Sequence, residues 1–196
     1  MTFKPEIILC EGESELAYIQ ELNRLLVKNN TSYGRAFIPK CIGSGYFNLV
    51  KKAYIAERKR NPKDTIFIWV DKDLYVRNDK NCLDEYKKRP NSLPEFFFSI
   101  MNFEDFIVLH CQDEIVSQWI DFCTQKRHFS SPMHASEYEP FIKKMFPDYQ
   151  KGELPFNLTS EHVRQMMKNL HKYQIDNDFG EHISQEIQQG NLKFLS

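Results

Sequence analysis

The stretch TIFIWVDKDLYVRND, residues 65–79, decides the fold. Residues 65–70 are β-branched or aromatic, which is typical of a strand covered on both faces. The strand then ends in two aspartates, Asp71 and Asp73. In open parallel sheets, ligands bind beyond the carboxyl ends of the strands. The segment therefore predicts an α/β fold with an acidic site at one rim of the sheet.

The sequence before this strand alternates between strand and helix patterns. Residues 6–10 form a second buried strand pattern that ends in Glu11-Gly12. Residues 14–30 have apolar side chains at helical spacing, and residues 44–60 predict another helix. Residues 35–42 predict a strand at the sheet edge, because Pro39 cannot donate to a central ladder. This alternation indicates βαβ units and a parallel, Rossmann-like sheet.

The remainder of the chain favours helices. A polar loop and a short helix are expected over 74–89, a fourth strand over 95–100 and a helix over 102–111. Further helical segments follow, joined by loops that contain Pro and Gly. We expect an α/β core over 1–112 and a helical C-terminal extension over 113–196 that packs on it.

Composition excludes several classes of protein. The 196 residues suffice for one domain, and the net charge of −1 means that nucleic-acid binding would need a local basic patch. The N-terminus does not resemble a signal peptide, and no apolar run approaches the roughly 20 residues of a membrane span. The five cysteines are odd in number, with no CxxC pair. We therefore expect reduced cysteines in a cytoplasmic protein.

The acidic residues at the predicted strand ends suggest a metal site. Along an extended chain, residues i and i+2 point to the same side, so Asp71 and Asp73 would face one crevice. Two such carboxylates repel each other unless a cation such as Mg2+ compensates. Glu11 ends the first strand, and Glu15 shares the inward stripe of the first helix. Helix-dipole and turn preferences are the alternative explanations for each acid alone.

Two of these segments resemble a known family. IILCEGESE (7–15) and IFIWVDKD (66–73) resemble the signature motifs of the Toprim domain, the metal-binding module of topoisomerases, primases and OLD-type nucleases. SIMNFEDFIVLH (99–110) and YQKGELPFNLTSEHVRQMMKNLHK (149–172) are similar to later motifs of the RloB-like group of small, defence-associated Toprim proteins. The resemblance covers roughly residues 5–172.

The resemblance implies roles for individual residues. Glu11 matches the Toprim glutamate, a metal ligand or general acid/base. Asp71 and Asp73 match the metal-binding D-x-D, with Lys72 between them pointing away. Other implied site residues are Glu15 and Glu104 at a second metal and Lys151 as a cation that neutralises charge. The N-x-F-E motif here lacks its usual proline, so Asp105 could substitute for Glu104.

Other polar residues have simpler explanations. Asn102 and Asp105 have the spacing of a helix cap, which we expect to be the role of Asp105. His110 shares a helical face with apolar residues and is expected in the core, whereas His128 and His134 are expected at the surface. Basic side chains that could contact phosphates are Lys51, Lys52, Lys87, Lys88 and Arg89, with a solvated face as the alternative.

These patterns favour a nuclease that uses Mg2+ or Mn2+ to hydrolyse phosphodiester bonds in RNA, tRNA included, or DNA. The resemblance adds a role in antiviral defence, a partner ATPase and a possible homodimer. The alternative is a non-catalytic metal- or nucleotide-binding module that docks on that ATPase. A HAD-like phosphatase also uses D-x-D, but there it follows the first strand, whereas here it follows the third.

Overall fold

The computed structural model describes residues 5–28, 35–43, 52–74 and 95–195. The expected helix start at 44–51 and the loop and short helix over 75–89 lie outside these residues. The described elements, in chain order, are β1 (Glu6–Cys10), α1 (Glu13–Leu25), β2 (Leu26–Lys28), β3 (Phe37–Cys41), α2 (Ile55–Arg60), β4 (Ile66–Val70), α3 (Lys72–Leu74), β5 (Glu95–Phe98), α4 (Phe103–Val108), α5 (Asp113–Gln125), α6 (Ala135–Met145), α7 (Ser160–Tyr173), α8 (Asp178–Gln188) and β6 (Leu192–Phe194).

Four parallel strands form the main sheet, in the order β3-β1-β4-β5. The α/β prediction is confirmed, and so is the edge position of the strand that contains Pro39. Because β1 and β4 are neighbours and parallel, with Cys10 opposite Trp69, their carboxyl ends meet at one rim of the sheet. This register determines where Glu11 and Asp71 lie.

The sheet is covered on both faces, as its continuously apolar strands predict. Ile8, Cys10, Phe67 and Trp69 face the larger core cluster. The alternate residues of β1 and β4 face a smaller cluster that includes Tyr54, just before α2. The period of two along each strand thus divides the core into two layers.

Helix α1 is shorter than predicted. We expected it to continue to Asn29-Asn30, but it ends at Leu25, and Leu26–Lys28 forms β2 instead. Strand β2 pairs antiparallel with β6, which the sequence analysis did not identify. Pairing with a segment more than 160 residues away overrides the local helical pattern, which a single sequence does not reveal.

The C-terminal helices pack against the sheet through aromatic and charged contacts. The ring of Phe179 in α8 lies 4.0 Å from that of Trp69, measured between centroids. At the opposite end of β1 from Glu11, His182 contacts Glu6 at 2.8 Å, and Lys28 contacts the same carboxylate at 2.6 Å. None of the described helices has the length and hydrophobicity to cross a bilayer.

Candidate metal centre

Glu11 and Asp71 meet at the shared rim of β1 and β4. The ladder between the strands continues one step past β1, because the Glu11 amide donates to the carbonyl of Trp69 at 3.1 Å. The Asp71 amide then donates to Glu11 Oε2 at 3.3 Å. Two carboxylates 60 residues apart in the chain are thereby held side by side.

A cavity of about 370 Å³ lies above this rim. Its walls carry five acidic side chains and one lysine: Glu11, Glu13, Glu15, Asp71, Glu104 and Lys151. The structure therefore brings together most of the site residues that the sequence suggested, drawn from four separate segments. The concentration of negative charge in one concave space is the main feature of this site.

Glu15 occupies the first turn of α1 and folds back toward the strand. Its Oε2 accepts a hydrogen bond from the Gly12 amide at 3.2 Å. A side chain at position 12 would place its Cβ 2.9 Å from that oxygen, so glycine permits the close approach. Burial, then the charges of Glu11 and Glu104, raise the pKa of Glu15 to about 7. Glu15 therefore caps the helix and also lines the cavity.

Asp71 is the least satisfied carboxylate of the site. Its Oδ1 is fully buried and accepts no hydrogen bond from the described residues. Burial raises its pKa well above the ordinary range, and the charges of Glu15, Glu11 and Glu104 raise it further. A buried oxygen without a donor is costly unless something positive contacts it. A cation bound next to Asp71 Oδ1 would therefore offset the free-energy cost of burying this carboxylate.

Asp73 lies differently from our expectation. The i, i+2 argument required extended backbone, but β4 ends at Val70 and Lys72–Leu74 form the helical turn α3. The Asp73 amide donates to the Met101 carbonyl at 2.9 Å, and Asp73 is not among the residues that line the acidic cavity. Burial raises the pKa of Glu11 and the charge of Asp73 raises it further, so Asp73 stays close to the site. Lys72, which we expected to point away from the aspartates, lines a different cavity.

Glu104 enters the cavity from the first turn of α4. It is 6% exposed, and the Tyr149 hydroxyl donates to its Oε1 at 2.7 Å. Burial raises the pKa of Glu104, while the bond from Tyr149 and the charge of Lys151 oppose that shift. Tyr149 is a site residue that the sequence analysis missed, although it begins the Y-x-K segment from which Lys151 was chosen.

Lys151 and Gly152 form the outer wall of the cavity. The Gly152 amide donates to Ser14 Oγ at 3.1 Å, which ties this segment to α1. Gly152 has a φ of +96°, a conformation that favours glycine. Lys151 is exposed at the cavity edge, and its charge partly opposes the rise in the pKa values of Glu11 and Glu104 that burial causes. The wall thus provides the cation that faces the acids.

Asp105 has a structural role. It forms the predicted capping box with Asn102 and also accepts from the Met101 amide at 3.0 Å. Trp119 Nε1 donates to Asp105 Oδ1 at 2.9 Å. His128 Nε2 lies 3.0 Å from Oδ2, and the other ring nitrogen of His128 accepts from the Met133 amide, so Nε2 donates. The expectation of a cap is confirmed.

Our surface assignment of His128 is wrong, because the residue is fully buried in this network. Its contacts come from tertiary packing after α5, which its polar neighbours in the sequence conceal. His110 is a core residue as predicted, with Tyr18 Oη 2.8 Å from its Nε2. His134 is exposed, also as predicted.

Asp105, Cys123 and His128 have ligand atoms close enough together to hold a metal ion. Two observations argue against that use. The Asp105 oxygens already accept several hydrogen bonds, and His128 Nδ1 is occupied by the Met133 amide. Burial also raises the pKa of the Cys123 thiol, so the thiolate that a metal needs is disfavoured. We interpret this group as a hydrogen-bond network.

The acidic cavity, in contrast, fits a hard divalent cation. Its donors are all carboxylate oxygens, which Mg2+ and Mn2+ prefer over nitrogen or sulfur. The unpartnered Oδ1 of Asp71 and the raised pKa values of Glu11, Glu15 and Glu104 indicate a shortage of positive charge. Glu11, Glu15, Asp71 and Glu104 would hold such an ion.

The structure describes one of the five basic residues that the sequence suggested for nucleic-acid binding. Lys51, Lys87, Lys88 and Arg89 lie outside the described residues, and Lys52 is exposed but does not line the acidic cavity. Arg58, in the same basic stretch as Lys52, donates to the backbone carbonyl of Asp64 at 2.8 Å. That arginine therefore supports the loop after α2.

Comparison with known proteins found no matching family model, no matching curated protein and no matching solved structure. Fold and site therefore define the class of protein. The chain is an α/β protein with a parallel, Rossmann-like sheet, and a strongly acidic cavity opens at the carboxyl rim of its central strands.

Proposed function

We propose that the chain is a divalent-metal-dependent nuclease that hydrolyses phosphodiester bonds, related to the Toprim proteins of the RloB-like and OLD-type group. One observation carries the proposal: Glu11, Glu15, Asp71 and Glu104 line one cavity at the strand ends. Ligand sites of open parallel sheets occur at this rim. The motif resemblance selects these four residues together with Asp73, which does not line the cavity.

The residues that line the cavity would have different roles in such a reaction. Glu11, Glu15, Asp71 and Glu104 would hold one or two Mg2+ or Mn2+ ions. Bound there, the metal lowers the pKa of a water molecule and offsets charge on the phosphate. Glu11 would be the candidate general acid/base at this cavity. Lys151, at the cavity edge, would contact a non-bridging phosphate oxygen.

The biological setting forms part of the same proposal. The resemblance favours an antiviral defence effector in the cytoplasm, acting on RNA, tRNA or DNA with a partner ATPase, and a homodimer is compatible with it. The described cysteines are free thiols, which agrees with a reducing compartment. The helices α5–α8 offer the surface on which the partner would dock.

The test is a cleavage assay with purified protein, total tRNA and plasmid DNA, in Mg2+, Mn2+ or EDTA. We expect cleavage only with metal, and a loss on the order of 1000-fold in Asp71→Asn. The matched control is Asp121→Asn, which changes an exposed acid on α5. It should cleave like the unmodified protein.

Two results would reject the nuclease proposal. One is cleavage that persists in Asp71→Asn, which would place the activity elsewhere. The other is metal binding without cleavage of either substrate, even in Mn2+ and with the partner present. That second result would favour the non-catalytic metal- or nucleotide-binding module.

A further inference from the structure

A second cavity, with a volume of about 370 Å³, is lined in part by Lys72, the residue that follows Asp71. Its floor is apolar, with Ile100 and Met101 buried, and two aromatic side chains, Phe129 and Tyr173, form its walls. Lys72 and Asp176 provide charge at its edges. The size and the mixture of an apolar lining with a few polar groups are typical of small-ligand sites.

The two cavities share one stretch of backbone. Lys72, which lines the second cavity, stands between Asp71 in the acidic cavity and Asp73. The Met101 carbonyl accepts the Asp73 amide at 2.9 Å, and Met101 also lines the second cavity. The linings of the two cavities meet at adjacent residues, Asp71 and Lys72, which places both cavities within reach of one nucleic-acid strand.

The two aromatic residues of this cavity, Tyr173 and Phe129, differ in their contacts. The hydroxyl of Tyr173 donates to Asp113 Oδ1 at 2.9 Å, which fixes the orientation of the ring. Phe129 is 37% exposed although it is a large apolar side chain. Aromatic faces beside a phosphate site bind nucleobases by stacking, and a carboxylate such as Asp176 accepts from an exocyclic amino group.

We propose that the second cavity binds an unpaired nucleobase of the strand whose phosphodiester lies in the acidic cavity. The inference rests on the proposed nuclease function and adds a substrate class to it. A base can enter the cavity only if it has left its stack, and leaving costs least where it is already unpaired. The substrate is therefore a single strand or a loop, and Lys72 neutralises a phosphate next to the bound base.

The experiment measures binding without cleavage. Fluorescence anisotropy in Mg2+ compares a short labelled single strand with its perfect duplex, both made with cleavage-resistant backbone linkages. We expect the single strand to bind more tightly, roughly 10-fold weaker binding in Phe129→Ala, and near-normal binding in Phe129→Trp, which keeps a stacking face. Ile38→Ala is the matched control, because Ile38 is also 37% exposed and lies on the edge strand β3.

Cleavage assays on the same variants separate the two proposals. If the unmodified protein cleaves but Phe129→Ala retains its KM and its affinity for the single strand, the base site is rejected and the nuclease stands. If nothing is cleaved but binding depends on Phe129, the nuclease is rejected and the base site stands. Equal binding of duplex and single strand also overturns the substrate class.

Discussion

Glu104 and Asp105 are neighbours in one turn of α4, and both are buried, yet their surroundings are opposite. Asp105 accepts hydrogen bonds from four nitrogen donors, two of the backbone and two of the side chains Trp119 and His128. Glu104 accepts one from Tyr149 and otherwise faces a cavity of carboxylates. Asp105 is stabilised by hydrogen bonds within the fold, whereas Glu104 lies mainly among other carboxylates.

The comparison shows how to distinguish structural from functional acids in a buried setting. Burying a carboxylate is costly, and the cost is met either by several donors or by a cation. The Asp105 network meets it within the chain. The acidic cavity does not, because Lys151 is exposed at its edge and Asp71 Oδ1 has no donor among the described residues. We therefore infer that the cavity is built for a bound cation.

Substituting Asp105, the acid with several hydrogen-bond donors, should have the largest effect on stability. Asp105→Ala leaves four buried donors without an acceptor, and we expect the free energy of unfolding to fall by about 3–5 kcal/mol. Urea denaturation measures this, with the exposed Asp121→Ala as a control that changes stability by less than about 0.5 kcal/mol. A loss under about 1 kcal/mol for Asp105→Ala would contradict the structural role.

Substituting Asp71, the buried acid without a donor to its Oδ1 among the described residues, should instead raise the stability of the protein. In EDTA at pH 8, Asp71→Asn removes one of several repelling charges, and its amide can donate to the remaining carboxylates. We expect the variant to be more stable than the unmodified protein by about 2 kcal/mol while losing cleavage. Urea denaturation in EDTA is the measurement. A destabilised variant would mean that Asp71 is structural, like Asp105.

The pH dependence of stability provides a further test of the acidic cavity, through Glu15. The pKa of Glu15 is about 7 in the folded protein and 4.5 ordinarily, so the folded state holds its proton more tightly. The resulting penalty is absent below about pH 4.5, grows as pH rises, and is complete above about pH 7.

In EDTA, Glu15→Gln should therefore gain roughly 1–2 kcal/mol relative to the unmodified protein between pH 5 and pH 8. The glutamine still offers an oxygen to the Gly12 amide, so the helix cap is kept. Denaturation across this pH range measures the gain. A constant difference at all pH values would show that ionisation of Glu15 is not the cause.

The smallest effect is expected from Tyr149, whose hydroxyl donates to Glu104. Tyr149→Phe removes the hydrogen bond to Glu104 and should change stability by less than about 1 kcal/mol. Cleavage should fall roughly 10-fold, because Glu104 loses the contact that orients it. Tyr54→Phe, which also removes a tyrosine hydroxyl with a side-chain partner but lies outside the cavity lining, is the control. Unchanged cleavage in Tyr149→Phe would remove Glu104 from the reaction.

Much of the sheet could be predicted because its signals are local. The apolar runs before Glu11 and Asp71 define β1 and β4, and Pro39 places β3 at the edge. The position of Asp73 could not be predicted, because the extended-chain rule fails where α3 begins. Strand β6 and the end of α1 depend on a pairing between distant segments.

The acids at the strand ends were predictable from topology, whereas Glu104 and Lys151 were suggested by the resemblance alone. Glu11 and Asp71 follow directly from the parallel topology. Tyr149 and the buried position of His128 depend on how the C-terminal helices pack on the core, and neither residue lies in a periodic pattern. Asp105 was assigned correctly, since its cap with Asn102 is local, but the donors Trp119 and His128 were not foreseen.

The most direct test of the account is Mn2+ binding, measured by titration calorimetry on purified protein without nucleic acid. The central claim is that Glu11, Glu15, Asp71 and Glu104 share a cation. We predict that the unmodified protein binds Mn2+, that Asp71→Asn weakens binding by at least about 10-fold, and that Asp121→Asn does not change it. Failure of the unmodified protein to bind Mn2+, or equal affinity in Asp71→Asn, would contradict the account.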